Sequence, residues 1–77
     1  MEEIRNLFVS FEDGSNVLVY TSELTEDEVQ KWAEKSTGKV IEVYHVPQEE
    51  LQYYCIDDRV WADTPEKVKR VRDYIAA

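Results

Sequence analysis

A two-layer α+β fold, an antiparallel sheet of four to five strands carrying two helices in the order ββαβββα, is what this chain of 77 residues predicts. Three observations carry the prediction. Apolar and β-branched runs of strand length recur, at Ile4 to Phe11, Val17 to Thr21 and Lys39 to Val46. One stretch, Leu24 to Gly38, has both ends of a helix written into it. A second helical stripe, Val68, Val71 and Ile75, follows Thr64-Pro65 near the C-terminus. No repeat, linker or low-complexity tract divides the chain, so residues 1–77 are expected to form one domain.

The first strand alternates, with Leu7, Val9 and Phe11 on one side and Asn6, Phe8 and Ser10 on the other. Asp13-Gly14 predicts a two-residue turn, because both central residues of a type I′ turn need positive φ. That turn sets Val9 opposite Leu18 and Leu7 opposite Tyr20. One face is then Leu7, Val9, Phe11, Leu18 and Tyr20, and the reverse face holds Phe8, Val17 and Val19.

In the helix, Thr25 and Glu28 form a capping box, flanked by Leu24 and Val29 as a hydrophobic staple. Glu26, Asp27 and Glu28 meet the positive end of the helix dipole, and Gly38 is expected as a left-handed C-cap. Val29, Trp32, Ala33 and Ser36 share one face and need a sheet to cover. The third strand places Ile41 and Val43 on one side, with Val40, Glu42 and Tyr44 on the other, and Pro47 ends it. Gln48 to Leu51 reads as a turn or a single helical turn. Tyr53 to Ile56 and Arg59 to Ala62 read as a second hairpin about Asp57-Asp58, with Tyr54, Ile56, Arg59 and Trp61 on a common face. Thr64 caps the last helix, whose Lys69, Arg70 and Arg72 suit its C-terminal half.

Charge and cysteine content narrow the function classes. Seventeen acids against nine bases give a net charge of −8, which repels nucleic acid and anionic membrane surfaces. The imbalance lies in residues 1–58, with fourteen acids and four bases, while residues 59–77 hold three acids and five bases. The single cysteine excludes a disulfide framework and points to the cytoplasm. Met1 to Arg5 shows no signal-peptide pattern, and no apolar run is long enough to span a bilayer.

Chemistry-bearing patterns are thin. A Cys55–His45 dyad would need an electropositive setting and oxyanion donors that the sequence lacks, so Cys55 is expected as a packed core thiol. His45 with Asp57 and Asp58 does not have the ligand spacing of a zinc or calcium site. With two glycines in the chain there is no phosphate cradle or cofactor box, and the expectation is a protein without catalysis, metal or cofactor. Lys67, Arg70 and Tyr74 form a basic stripe, expected as a solvated face, and the aromatic residues match no RNA-recognition pattern.

Two binding readings follow. The acids Glu2, Glu3, Glu12, Glu23, Glu34, Glu42, Glu49 and Glu50 have no evident local duty, and Glu26, Asp27, Gln30 and Glu34 line the outer edge of the first helix. A small acidic domain can present carboxylates where a nucleic-acid-binding protein expects phosphates. In composition alone it resembles the DNA-mimic and other inhibitor proteins of bacteriophages. The first reading is therefore an inhibitor or modulator of a nucleic-acid-handling protein, engaged through Glu12, Glu23, Glu26, Asp27, Glu34, Glu49 and Glu50. The alternative is a homodimer or larger assembly, formed through a sheet face carrying Phe8, Val19, Tyr44, Tyr54 and Trp61 if no loop covers it.

Overall fold

The computed structural model describes residues 3–77; Met1 and Glu2, and the readings that include them, lie outside it. It shows one four-stranded mixed sheet and two α-helices, in chain order β1 (Arg5–Phe11), β2 (Asn16–Thr21), α1 (Glu26–Ser36), β3 (Val40–His45), a 3₁₀ segment (Gln48–Tyr53), β4 (Arg59–Ala62) and α2 (Pro65–Ala76). Across the sheet the strands run β3-β1-β2-β4. The α+β class, the first three strands and both helices stand as the sequence predicts.

β1 and β2 occupy the centre, which explains why Leu7, Phe8 and Val9, and Val17 to Tyr20, are buried in unbroken runs. A central strand covered on both faces has no solvent side to alternate with. One face packs Leu7, Val9, Phe11, Val17 and Val19 with Leu24, Val29 and Ala33 of the α1 region and Val68 of α2. The other face packs Phe8, Leu18 and Tyr20 with Val46 and Leu51.

The sorting differs from expectation by one residue, and the turn is the reason. The hairpin loop is three residues long, Glu12 to Gly14, closed by Phe11 N donating to Ser15 O and Gly14 N to Phe11 O, both at 3.0 Å. Gly14 takes φ +92°, the left-handed residue of a three-residue loop. Asp13 supports this form by accepting from the Ser15 amide at 2.9 Å and hydroxyl at 2.6 Å. Val9 therefore pairs with Val17 and Leu7 with Val19, rather than with Leu18 and Tyr20. A one-residue slip turns every side chain of a strand to the opposite face. Leu18 and Tyr20 thus leave the helix side and Val19 joins it.

α1 carries the capping box as read: Glu28 N donates to Thr25 Oγ1 and Thr25 N to Glu28 Oε1, each at 3.1 Å. Leu24 and Val29 are both buried in the helix-side core. Gly38 is not a left-handed cap, since Gly14 alone has positive φ among the described residues. The helix ends instead at Thr37, whose amide donates to Ala33 O at 2.9 Å, and the chain passes straight into β3.

The second hairpin does not form. The 3₁₀ segment runs on through Tyr53, residues 54–58 are irregular, and β4 pairs in parallel with β2, so the sheet is antiparallel across three strands and parallel at the fourth. Asp57 and Asp58 fasten this loop to β2 instead of turning it back. Asn16 N donates to Asp57 Oδ2 at 3.0 Å, Asp57 N to Asn16 Oδ1 at 2.8 Å, and Leu18 N to Asp58 O at 2.9 Å. Ile41, expected beneath the helices beside Val43, is 64% exposed. β3 is an edge strand, and its register against β1 shifts between Ser10 and Phe11, which carries Ile41 clear of the core.

Candidate functional site

The residues singled out by the sequence do not converge on one surface. Glu26, Asp27 and Glu34 are exposed on α1, over one face of the sheet. Glu49 and Glu50 are exposed on the 3₁₀ segment, whose Leu51 packs on the opposite face. Several of these acids are already paired: Asp27 with Lys31 at 3.1 Å, Glu12 with Lys39 at 3.5 Å and Glu23 with Arg72 at 3.9 Å. Arg72 also donates from Nε to Glu28 Oε2 at 2.8 Å, tying α2 to the first turn of α1. The Arg72 guanidinium holds the Glu28 carboxyl below its ordinary range, with the Thr25 contacts adding to the effect and partial burial opposing it.

The aromatic residues are dispersed as well. Phe8 and Val19 are buried on opposite faces. Tyr44 and Tyr54 are half-buried beside Phe8, and Tyr44 donates its hydroxyl to Tyr54 Oη at 3.3 Å. That bond, then burial, pushes the Tyr44 phenol up to about 12. Trp61 sits on the edge strand farthest from Tyr44, stacked on Tyr20 with ring centroids 3.9 Å apart, and remains 51% exposed. The 3₁₀ segment and the loop after it therefore cover much of the face that the sequence leaves open.

Cys55 is exposed in the irregular loop, contrary to the packed thiol expected, because the strand that was to bury it is absent. Its carbonyl accepts from Asn16 Nδ2 at 2.9 Å, at the start of β2. His45 lies on β3, two strands away across the sheet, so the two do not make a dyad. No group of three or more His, Cys, Asp or Glu side chains among the described residues is arranged to hold a metal ion. On α2, Lys67 is paired with Asp63 at 3.2 Å, and Tyr74 lies beneath the Lys35 ammonium at 4.9 Å, so the basic stripe is partly occupied by local contacts.

What the structure does bring together is a groove at the hairpin end of the molecule. Its main cavity, about 390 Å³, lies between the start of β2, the last turns of α1 and the approach to β4. Phe11, Val17, Trp32 and Val60 provide apolar lining, and Ser15, Ser36, Asp57 and Asp58 provide polar lining. A second cavity of about 330 Å³ shares Phe11 and Thr37 with it and adds Glu12, Asp13 and Lys39. The one base there is engaged by Glu12. Hydrogen bonds from Ser15 hold the Asp13 carboxyl below its ordinary range.

The last turn of α1 adds to the negative character. Carbonyls at a helix C-terminus lack intrahelical donors and carry the negative end of the dipole. Lys35, the base of that turn, does not neutralise them, because its ammonium donates to Tyr74 O of α2 at 2.6 Å and to Ala77 O just beyond it at 2.7 Å. The sequence reading missed this groove by assigning Asp13, Asp57 and Asp58 wholly to turns and Trp32 wholly to the core. The available signal was the weakness of Asp-Asp as hairpin chemistry beside Cys55-Ile56.

Comparison with protein-family models, curated proteins and solved structures finds no match to this chain.

Proposed function

We propose that this chain is a non-catalytic protein-binding module of the cytoplasm whose partner is a basic, nucleic-acid-handling protein, and that it inhibits or modulates that partner by occupying an anion-recognising surface. The observation that carries the reading is the set of exposed carboxylates without a basic partner. Glu26, Glu34, Glu42, Glu49, Glu50, Asp57 and Asp58 make no ion pair among the described residues, and of the four bases that make none, Arg5, Lys35 and Arg59 are spent on carbonyl or hydroxyl oxygens, leaving Arg70. The charge of −8 is thus presented to solvent, where it steers a cationic surface toward the protein. An exposed free thiol at Cys55 fits a reducing compartment, and no helix among the described residues is long and apolar enough to cross a membrane.

Self-association through the aromatic sheet face has less to stand on, because only Trp61 of its five residues is more than half exposed.

The test is capture of interacting proteins from a lysate on the immobilised chain, identified by mass spectrometry, across a salt series and with duplex DNA as competitor. Nucleic-acid-binding proteins that are retained at low salt, released as salt rises and displaced by DNA are the expected result. Retention indifferent to salt and to DNA overturns the reading.

A further inference from the structure

We propose that the groove at the hairpin end receives an arginine side chain from the partner protein. The inference rests on the reading of the chain as a binder of a basic protein and names the chemistry by which the two engage. The groove is apolar at its base, where Phe11 and Val17 are buried and Trp32 and Val60 are half-buried against the core. Its volume, about 390 Å³, has room for one long side chain.

Charge selects the occupant. Asp57 and Asp58 line the main cavity, which has no base among its lining residues, and the end of α1 lies beside them. Each carboxylate spends one oxygen on the fold, Asp57 Oδ2 on the Asn16 amide and Asp58 Oδ1 on the Arg59 amide at 2.9 Å. The other oxygen of each has no partner among the described residues. Two such oxygens above an aromatic wall suit a planar guanidinium, which stacks on a ring and forks to carboxylates, better than the compact, strongly hydrated ammonium of lysine. The hydrogen bonds between residues 55–58 and Asn16 and Leu18 of β2 hold both acids in place before anything binds, so little order is lost on binding.

The probe is N-acetyl-arginine amide, titrated into the isotope-labelled full chain while the Trp32 indole N–H and the Asp58 and Val60 amides are followed by NMR. A saturable shift at these positions, with dissociation in the millimolar range, is expected for a single side chain. N-acetyl-citrulline amide, the same shape without charge, should bind about tenfold more weakly or not at all. The double variant Asp57→Asn/Asp58→Asn, which keeps acceptor oxygens for Asn16 and Arg59, should weaken the arginine probe by about threefold to tenfold. Glu66→Gln, in the first turn of α2 and outside the groove, should leave it unchanged. No saturable shift at Trp32 and Asp58 overturns the proposal, as does equal binding of the citrulline probe or an equal effect of Glu66→Gln. A null titration beside DNA-displaceable capture removes the groove alone. Arginine binding beside capture that ignores salt and DNA removes the proposed function alone.

Discussion

On the α1/α2 side the core is mostly aliphatic around Phe11 and Trp32, and on the other side it is built around the rings of Phe8, Tyr20, Tyr44 and Tyr54. The helix side is closed by two capped helices joined through Arg72 to Glu23 and Glu28, over a core in which Leu7, Val9, Val29 and Ala33 are fully buried. The reverse side is closed by one 3₁₀ segment and the residues flanking it, which contribute Val46 and Leu51 as buried residues and leave Tyr44, Tyr54 and Ile56 partly open. A helix brings its own hydrogen-bonded backbone and a wide apolar face. A short 3₁₀ segment brings few anchors and poorer hydrogen-bond geometry. Stability should therefore depend more on the first side than on the second.

The largest effect comes from breaking the helix side. Leu7→Ala should lower stability by about 2–5 kcal/mol, a large share for a domain of this size, while Leu51→Ala should cost about 2 kcal/mol or less because the thinner cover can settle into the space. Chemical denaturation of both variants compares them, and a larger loss at Leu51 would reverse the ranking. Next comes the α1 cap. Thr25→Ala should cost about 1 kcal/mol. Glu28→Gln removes a carboxylate whose pKa is lowered in the fold from the ordinary 4.5. Its contribution is fully present above that value and fades as pH falls through the lowered one. The stability difference between Glu28→Gln and the parent should thus be flat near neutrality and close on acidification below about pH 4.5, read from thermal midpoints across a pH series. A difference independent of pH would assign the effect to packing.

The smallest effect tests the ring side. Tyr54→Phe removes the acceptor of the Tyr44 hydroxyl, at a cost of about 1 kcal/mol or less. The Tyr44 phenol should then ionise below its present value of about 12, followed by ultraviolet absorbance. An unmoved titration would leave burial as the sole cause.

The same contrast explains what could be read from the sequence. The helix side was legible because its signals are local: Thr25 and Glu28 lie three residues apart, and Val29, Trp32 and Ala33 fall within one turn of each other. The strands' facing was not, because Asp13-Gly14 serves a two-residue and a three-residue loop, and the choice depends on Ser15 bonding back to Asp13. Nor was β4 legible as a parallel strand, since its partner, β2, lies some forty residues earlier in the chain. The groove depends on both outcomes. Asp57 and Asp58 reach Trp32 only because the chain does not turn back at Asp57-Asp58 but clips onto Asn16 and Leu18.

That parallel seam also sets an order of assembly. β1, β2 and α1 can associate through short loops, whereas closing β2 against β4 must enclose α1, β3 and the 3₁₀ segment first, and contacts so distant in the chain form late. The four-residue β4 should likewise be the first strand to part, with amides at Val60 and Ala62 exchanging sooner than those of Val9. Because Val60, Asp57 and Asp58 belong to this late seam, the groove is the last feature the chain completes, and a fluctuation that opens β4 would dismantle it while leaving the α1-covered core intact.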